Sequence, residues 1–234
     1  MKKVLLAGAI ALFGGLNAQV KYGLKAGYNL SNVSLSTPAT SVKILLGNKS
    51  GFNAGGFVEY GFGKNLSLQG EVLYSNVGAK LTVDVNKIKT AQVGELLDAD
   101  FSSADIAKVK KASATISMNQ IVVPVSLKYS FDKFSVLGGV SVNFNAGVST
   151  KIEVDGKDVK KTVEANGEIN LDNTIKSELA STNFGLHLGA EYMFNKNIFV
   201  DARYNCGVSS LNKNYTDFAK LRQRYFQIGL GYKF

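Results

Sequence analysis

In 234 residues there is one cysteine, Cys206, and one histidine, His187. A single thiol closes no internal disulfide, so a cysteine framework is excluded and something else must hold the chain together. Long apolar runs are missing too: beyond residue 18 nothing approaches the roughly 18 consecutive apolar residues of a spanning helix. Any membrane crossing must then be made by strands. The net charge of +9 comes from 27 Lys+Arg against 18 Asp+Glu, with no basic helix or stripe. Basic groups scattered among acids mark a solvated surface, and no nucleic-acid partner is expected. A 45% hydrophobic content and a mean hydropathy close to zero suit a soluble domain equally well. Only the order of the residues separates the classes.

The opening "MKKVLLAGAIALFGGLNAQ" has Lys2 and Lys3, an apolar run over residues 4–16 and a small residue at Ala18. This is the layout of a secretory signal peptide, and the run is too short to span a bilayer. Residues 1–18 are therefore expected to be removed, which takes away two lysines and lowers +9 to +7. Neither a cysteine nor a lipobox lies near that cut. Residues 19–234 are expected to form one domain.

After residue 19 the period of the chain is two. In "VKYGLKAGYNL" Tyr22, Leu24, Ala26, Tyr28 and Leu30 share one face of a strand, and Lys21, Gly23, Lys25, Gly27 and Asn29 the other. The same alternation runs through "GFNAGGFVEYG", "LSLQGEVLY", "IVVPVSLKYSF", "FSVLGGVSVNFNAGV", "NFGLHLGAEYMF", "IFVDARYNCG" and the terminal "RYFQIGLGYKF". Phe57 is an exception on the polar side of the second run. Pro124 cannot donate to a ladder, and a local bulge is expected at that point. Eight strands result. The turns "GFGKN", "FDKF" and "FNKN" are short, whereas the connections near residues 31–50, 76–115, 149–182 and 208–221 are long. Short turns on one side and long loops on the other predict an all-β fold: an eight-stranded antiparallel up-and-down transmembrane β-barrel, with short periplasmic turns and long extracellular loops.

Alternation leaves open which face points inward. The polar face is rich in glycine with single charges between, which suits a narrow barrel interior better than a water-covered exterior. Tyr22, Tyr28, Tyr60, Tyr74, Tyr129, Phe194, Tyr204 and Tyr232 recur near strand ends on the apolar face, as interfacial girdles require, and Phe234 ends the lipid-facing row of the last strand. Closure of the last strand against the first leaves no unpaired edge in hydrocarbon, where each unsatisfied group costs several kcal/mol. Lys25, Glu59, Glu71, Lys128, His187, Glu191, Asp201 and Arg203 then fall in the lumen, where a plug of opposed charges is expected rather than an open channel. A proton or ion pathway through the same groups is the alternative.

Chemistry is sparsely provided for. His187 lies mid-barrel by parity, out of a substrate's reach, and a general base needs that reach. His187 and Cys206 sit on opposite faces of different strands, so no metal site is expected, and Cys206 reads as a small hydrophobe. The glycines of "GLGYKF" and "GGFVEYGFG" lack the strand-to-helix setting of phosphate or dinucleotide loops, so no cofactor is expected. Within "KIEVDGKDVKKTVE" the Asp-Gly pair predicts a hairpin tip in the third loop. "AQVGELLDADFSSADIAKVKKA", residues 91–112, has the end charges of a short helix in the second loop.

The stretches "VVPVSLKYSF", "FGLHLGAEYMF", "DARYNCGVSSL" and "FQIGLGYKF" resemble the PorT-like outer-membrane β-barrel family of the Bacteroidota. The resemblance implies a Gram-negative cell outer membrane, and it carries Arg203 over to the family's arginine. The expected role is structural or surface-interacting rather than enzymatic. The expected partners are outer-membrane lipid, the outer-membrane assembly machinery through the C-terminal strand, and an extracellular or secretion-system protein. The alternatives are a narrow solute channel or an accessory of protein secretion, then an outer-membrane enzyme.

Overall fold

The computed structural model describes residues 20–36, 46–84, 111–167, 170–213 and 220–234. Eight long strands carry the fold: β1 (Val20–Ser36), β2 (Lys49–Gly61), β3 (Leu66–Asp84), β4 (Lys111–Phe131), β5 (Phe134–Val154), β6 (Thr182–Met193), β7 (Ile198–Gly207) and β8 (Lys220–Lys233). Each pairs antiparallel with its predecessor, and β8 pairs with β1 from Gly23–Lys233 to Ser36–Lys220. The ring is closed. Following partners from Tyr22 through Val58, Gly70, Val125, Val140, Leu186, Cys206 and Arg224 returns to β1 at Asn32, ten residues above the start. That stagger obliges the strands to tilt, typically by about 35–45°.

The period of two becomes the two surfaces of the cylinder. Outward positions stay exposed although apolar, with Leu188 at 70% and Leu24, Val72 and Leu230 close to 60%. Inward positions are buried although polar: Lys25, Glu71, Lys128, Glu191, Asp201 and Arg203 are each 3% exposed or less. A soluble protein distributes these groups the other way round. The apolar belt ends in aromatic rims. Tyr22 and Phe234 stack at 5.4 Å, and Tyr60–Phe62, Tyr129–Phe131 and Tyr192–Phe194 pair at the short-turn end. Tyr28, Phe52, Tyr74, Phe144, Phe184 and Tyr204 stand towards the long-loop end. Phe52 and Tyr60 are eight positions apart along β2, which at about 3.3 Å per residue and a tilt of about 40° makes the belt roughly 20 Å tall. A bilayer core of about 25 Å fits once the rings themselves are included.

Pro124 is accommodated without a bulge of its own. It stays in register with Ser141 of β5, while the ladder to β3 passes from Gly70–Val125 to Leu73–Val122 with no pairing at Glu71 or Val72. The missing N–H is absorbed as a gap in one ladder. The register shift in β4 lies instead at Asn119/Gln120.

β3, β4 and β5 run well past the outer rim, pairing as far as Asp84–Lys111 and Ala112–Val154. Lys111 and Ala112, expected at the end of a second-loop helix, therefore open a strand; the remainder of that expected helix lies outside the described residues. The β5 extension turns at Asp155 (φ 49°) and Gly156 (φ 82°) into a two-residue return, Lys157–Asp158. Positive φ at both central residues is the geometry that favours Asp-Gly, as the sequence predicts.

Two helices follow that periodicity did not reveal, α1 (Lys160–Gly167) and α2 (Leu171–Glu178). α2 is capped by Asn170, whose Oδ1 accepts from the Asn173 N–H at 2.9 Å. Asp172 in its first turn accepts from Thr150 N at 2.7 Å, Thr150 Oγ1 at 2.5 Å and Lys160 Nζ at 2.7 Å. Partial burial pushes this carboxyl up, but the bonds from Lys160 and Thr150 outweigh it and hold it below the usual range. Its contribution is therefore present above the ordinary carboxylate pKa and lost as pH falls through the depressed folded value. Asp172→Asn is expected to free α2, raising tryptic cleavage after Lys176 several-fold at pH 7. Wild type should show the same rise in backbone hydrogen exchange over this segment on acidification.

The filled lumen and its two mouths

All eight ionisable residues expected inside the barrel lie there, and most of them meet in two four-membered rings. The lower ring takes one residue from each even strand: Glu59 on β2, Lys128 on β4, Glu191 on β6 and Lys233 on β8. Lys128 Nζ is 3.0 Å from Glu59 and 2.6 Å from Glu191; Lys233 Nζ is 3.2 and 2.6 Å from the same two carboxylates. The upper ring comes from odd strands. Lys25 Nζ is 3.0 Å from Glu71 and 2.9 Å from Asp201, and Arg203 is 2.5 Å from Glu71 and 2.7 Å from Asp201. Each cation thus touches two anions and each ring is neutral. Neutral pairing is what makes burial of charge tolerable, because an isolated ion in this surrounding costs several kcal/mol.

Between the rings lie Phe57 and Phe199, edge to face at 5.6 Å, with Lys233 Nζ 5.0 Å from the centre of the Phe199 ring. They fit because the residues opposite are glycines: a Cβ on Gly23 would come 2.6 Å from the Phe57 ring, and one on Gly231 2.1 Å from the Phe199 ring. Gly231→Val is expected to displace Phe199 and lower stability by about 1–3 kcal/mol through overpacking. Gly231→Val combined with Phe199→Ala should recover part of that loss in urea titrations of the refolded barrel.

Above the upper ring the filling is amide. Asn53 donates to Asn29 at 2.7 Å, Asn29 to Ser75 Oγ at 2.9 Å, and Gln120 and Gln223 exchange bonds of 3.0 and 3.1 Å. His187 belongs to the wall, with Nε2 2.7 Å from Ser126 Oγ and 5% exposure. Its Nδ1 has no hydrogen-bond partner among the described residues, so no carboxylate orients the ring. Cys206 faces the opposite way, half-buried on the outer surface.

Residues 17–213 match the model of the outer membrane protein beta-barrel domain. The chain belongs to that family. Solved barrels similar to this member include the attachment invasion locus protein Ail of Yersinia pestis, with 13% identity, a TM-score of 0.43, and 92% of this chain and 99% of Ail covered. Neisserial surface protein A gives 13%, 0.46 and the same coverage; outer membrane protein W of E. coli gives 13% and 0.39, with 94% and 100% covered. No curated protein matches the chain significantly. The family places this barrel in the outer membrane.

The two mouths of this family member differ. At the extracellular end the lumen is stoppered by Val77, Met118, Leu211 and Tyr225, each 5% exposed or less, with Val33, Leu179 and Leu221 packed against them. Leu179 and Leu211 come from the long loops and are tied together: Ala180 N donates to Leu211 O at 2.7 Å, and Leu179 bridges Asn212. At the periplasmic end the lumen is open as a vestibule of about 1070 Å³, floored by the lower ring.

Sequence reasoning gave Phe57 only as an exception on the polar side, and it missed Lys233 in the charge ring, Phe199 and the apolar stopper. The parity of the last strand places Lys233 inside, so its signal was present. Phe57 and Phe199 show as apolar residues on a polar face. Leu179 and Leu211 lie in loops, where periodicity carries no information. The rim aromatics Tyr22, Tyr28, Tyr74, Tyr129, Phe194, Tyr204, Tyr232 and Phe234 are exposed on the outer surface, and Tyr60 is half-buried there.

Proposed function

We propose that this outer-membrane barrel is a closed, non-catalytic anchor whose function resides in its extracellular loops, which engage a partner at the cell surface. One observation carries the reading: the lumen is filled from the lower charge ring to the Val77–Met118–Leu211–Tyr225 stopper, while β3, β4, β5 and two helices project beyond the membrane. A filled lumen leaves conduction little path, and projecting loops are where a rigid scaffold places binding residues. A non-enzymatic role is supported by the lone histidine bonded into the wall. Within the family, "FGLHLGAEYMF" and "DARYNCGVSSL" support a PorT-like member from the Bacteroidota, exported by cleavage after residue 18 and assembled through β8.

The pure protein in planar bilayers is expected to pass no steady current at neutral pH; large, stable steps would overturn the closed anchor. In intact cells, with Cys206 replaced by alanine, cysteines placed at Gly156 and Asn212 should react with an impermeant maleimide while those at Lys64 and Lys196 should not. The reverse pattern would put the proposed binding loops on the wrong side.

A further inference from the structure

The periplasmic vestibule has a charge arrangement that closing a barrel does not require. Four of its lysines come from four separate places around the mouth: Lys21 at the start of β1, Lys64 in the β2–β3 turn, Lys133 in the β4–β5 turn and Lys196 in the β6–β7 turn. All four are exposed, and among the described residues none has a carboxylate within ion-pair distance. The acids lining the same cavity are Glu59, Glu191 and Asp132. Glu59 and Glu191 are committed to Lys128 and Lys233 in the floor at 2.6–3.2 Å. The rim therefore sets four ammonium groups against the single carboxylate of Asp132, above a floor that is already neutral.

We infer that this vestibule is a binding site for an acidic peptide segment of a periplasmic protein. A concave, low-dielectric wall lined by one sign of charge focuses its potential into the cavity. Four cations spread around a mouth of about 1070 Å³ suit several carboxylates along one chain rather than a single small anion. Lipid phosphate is the competing source of negative charge, and geometry disfavours it. These lysines line the inside of the mouth, whereas the residues turned to the bilayer at that level are aromatic: Tyr22, Phe62, Tyr129 and Phe234. Ser130 and Asn195 on the same wall suit an entering main chain, which presents both donors and acceptors.

The test uses the full mature barrel in phosphatidylcholine nanodiscs with fluorescein-labelled hexaglutamate as the probe, read by anisotropy, and hexalysine as the control. Hexaglutamate is expected to bind, with affinity falling steeply as salt is raised, and hexalysine is not. Lys64→Gln, Lys133→Gln and Lys196→Gln together should weaken binding at least tenfold. Lys157→Gln, Lys161→Gln and Lys176→Gln, which remove the same charge from the extracellular side, should change it less than twofold. Absence of hexaglutamate binding at low salt, or equal losses in the two triple variants, would overturn the site. So would loss of binding when phosphatidylglycerol is added to the disc, which would assign the lysines to lipid headgroups. None of these outcomes bears on the loops at the other end.

Discussion

Replacing Arg203 with methionine is expected to destabilise the barrel by about 3–5 kcal/mol, the range for removing one partner of a buried ionic cluster. Arg203 is 2% exposed and bridges Glu71 at 2.5 Å and Asp201 at 2.7 Å. Without it two carboxylates share Lys25 alone, and a net negative charge is stranded inside a cylinder surrounded by hydrocarbon. The loss should come mainly from that stranded charge rather than from the contacts deleted. Glu71→Gln added to Arg203→Met leaves the neutral Lys25–Asp201 pair at 2.9 Å. That double variant should recover about half of the loss, roughly 1.5–2.5 kcal/mol, because substitutions within one charge network do not add. The chain has no tryptophan, so urea titrations in lipid vesicles would be followed by far-ultraviolet circular dichroism and by the gel shift between folded and heated barrel. An Arg203→Met loss below about 1 kcal/mol, or a double variant worse than the single, would show that the ring is not the stabilising unit.

Placing arginine at Leu188 is expected to cost about 2–4 kcal/mol, the figure for a cation on the lipid face of a barrel near the bilayer midplane. Leu188 is 70% exposed and sits on β6 midway between the rim residues Phe184 and Tyr192. Phe194→Arg, at the short-turn rim, should cost no more than about 1 kcal/mol because the side chain reaches the headgroups. The gradient between the two positions is the informative quantity. In water an arginine at either exposed site would be nearly neutral, so equal, small effects would contradict a hydrocarbon surround.

What could be read without coordinates is local. Tyr22, Leu24, Ala26, Tyr28 and Leu30 alternate with Lys21, Gly23, Lys25, Gly27 and Asn29, and backbone pleating alone sends such sets to opposite faces. The Asp155-Gly156 turn was legible for the same reason, since its positive φ values are a property of two adjacent residues. The helix α2 was not: Asn170 caps it locally through the Asn173 N–H, but Asp172 holds it only because Thr150 of β5 stands beside it.

The sequence by itself therefore determined the number of strands, the side of each that meets lipid, and the ionisable residues that enter the lumen, because side-chain parity is set within each strand. Only the tertiary structure decided which of those residues touch. Lys25 meets Asp201, and Glu59 meets Lys128 and Lys233, across separations that depend on every pairing around the ring. The ten-residue stagger is the sum of eight registers, so a one-residue slip in any of them would regroup the charges. For the same reason Leu179 and Leu211, which have no parity, become the stopper only once the strands have closed and brought the long loops over one mouth.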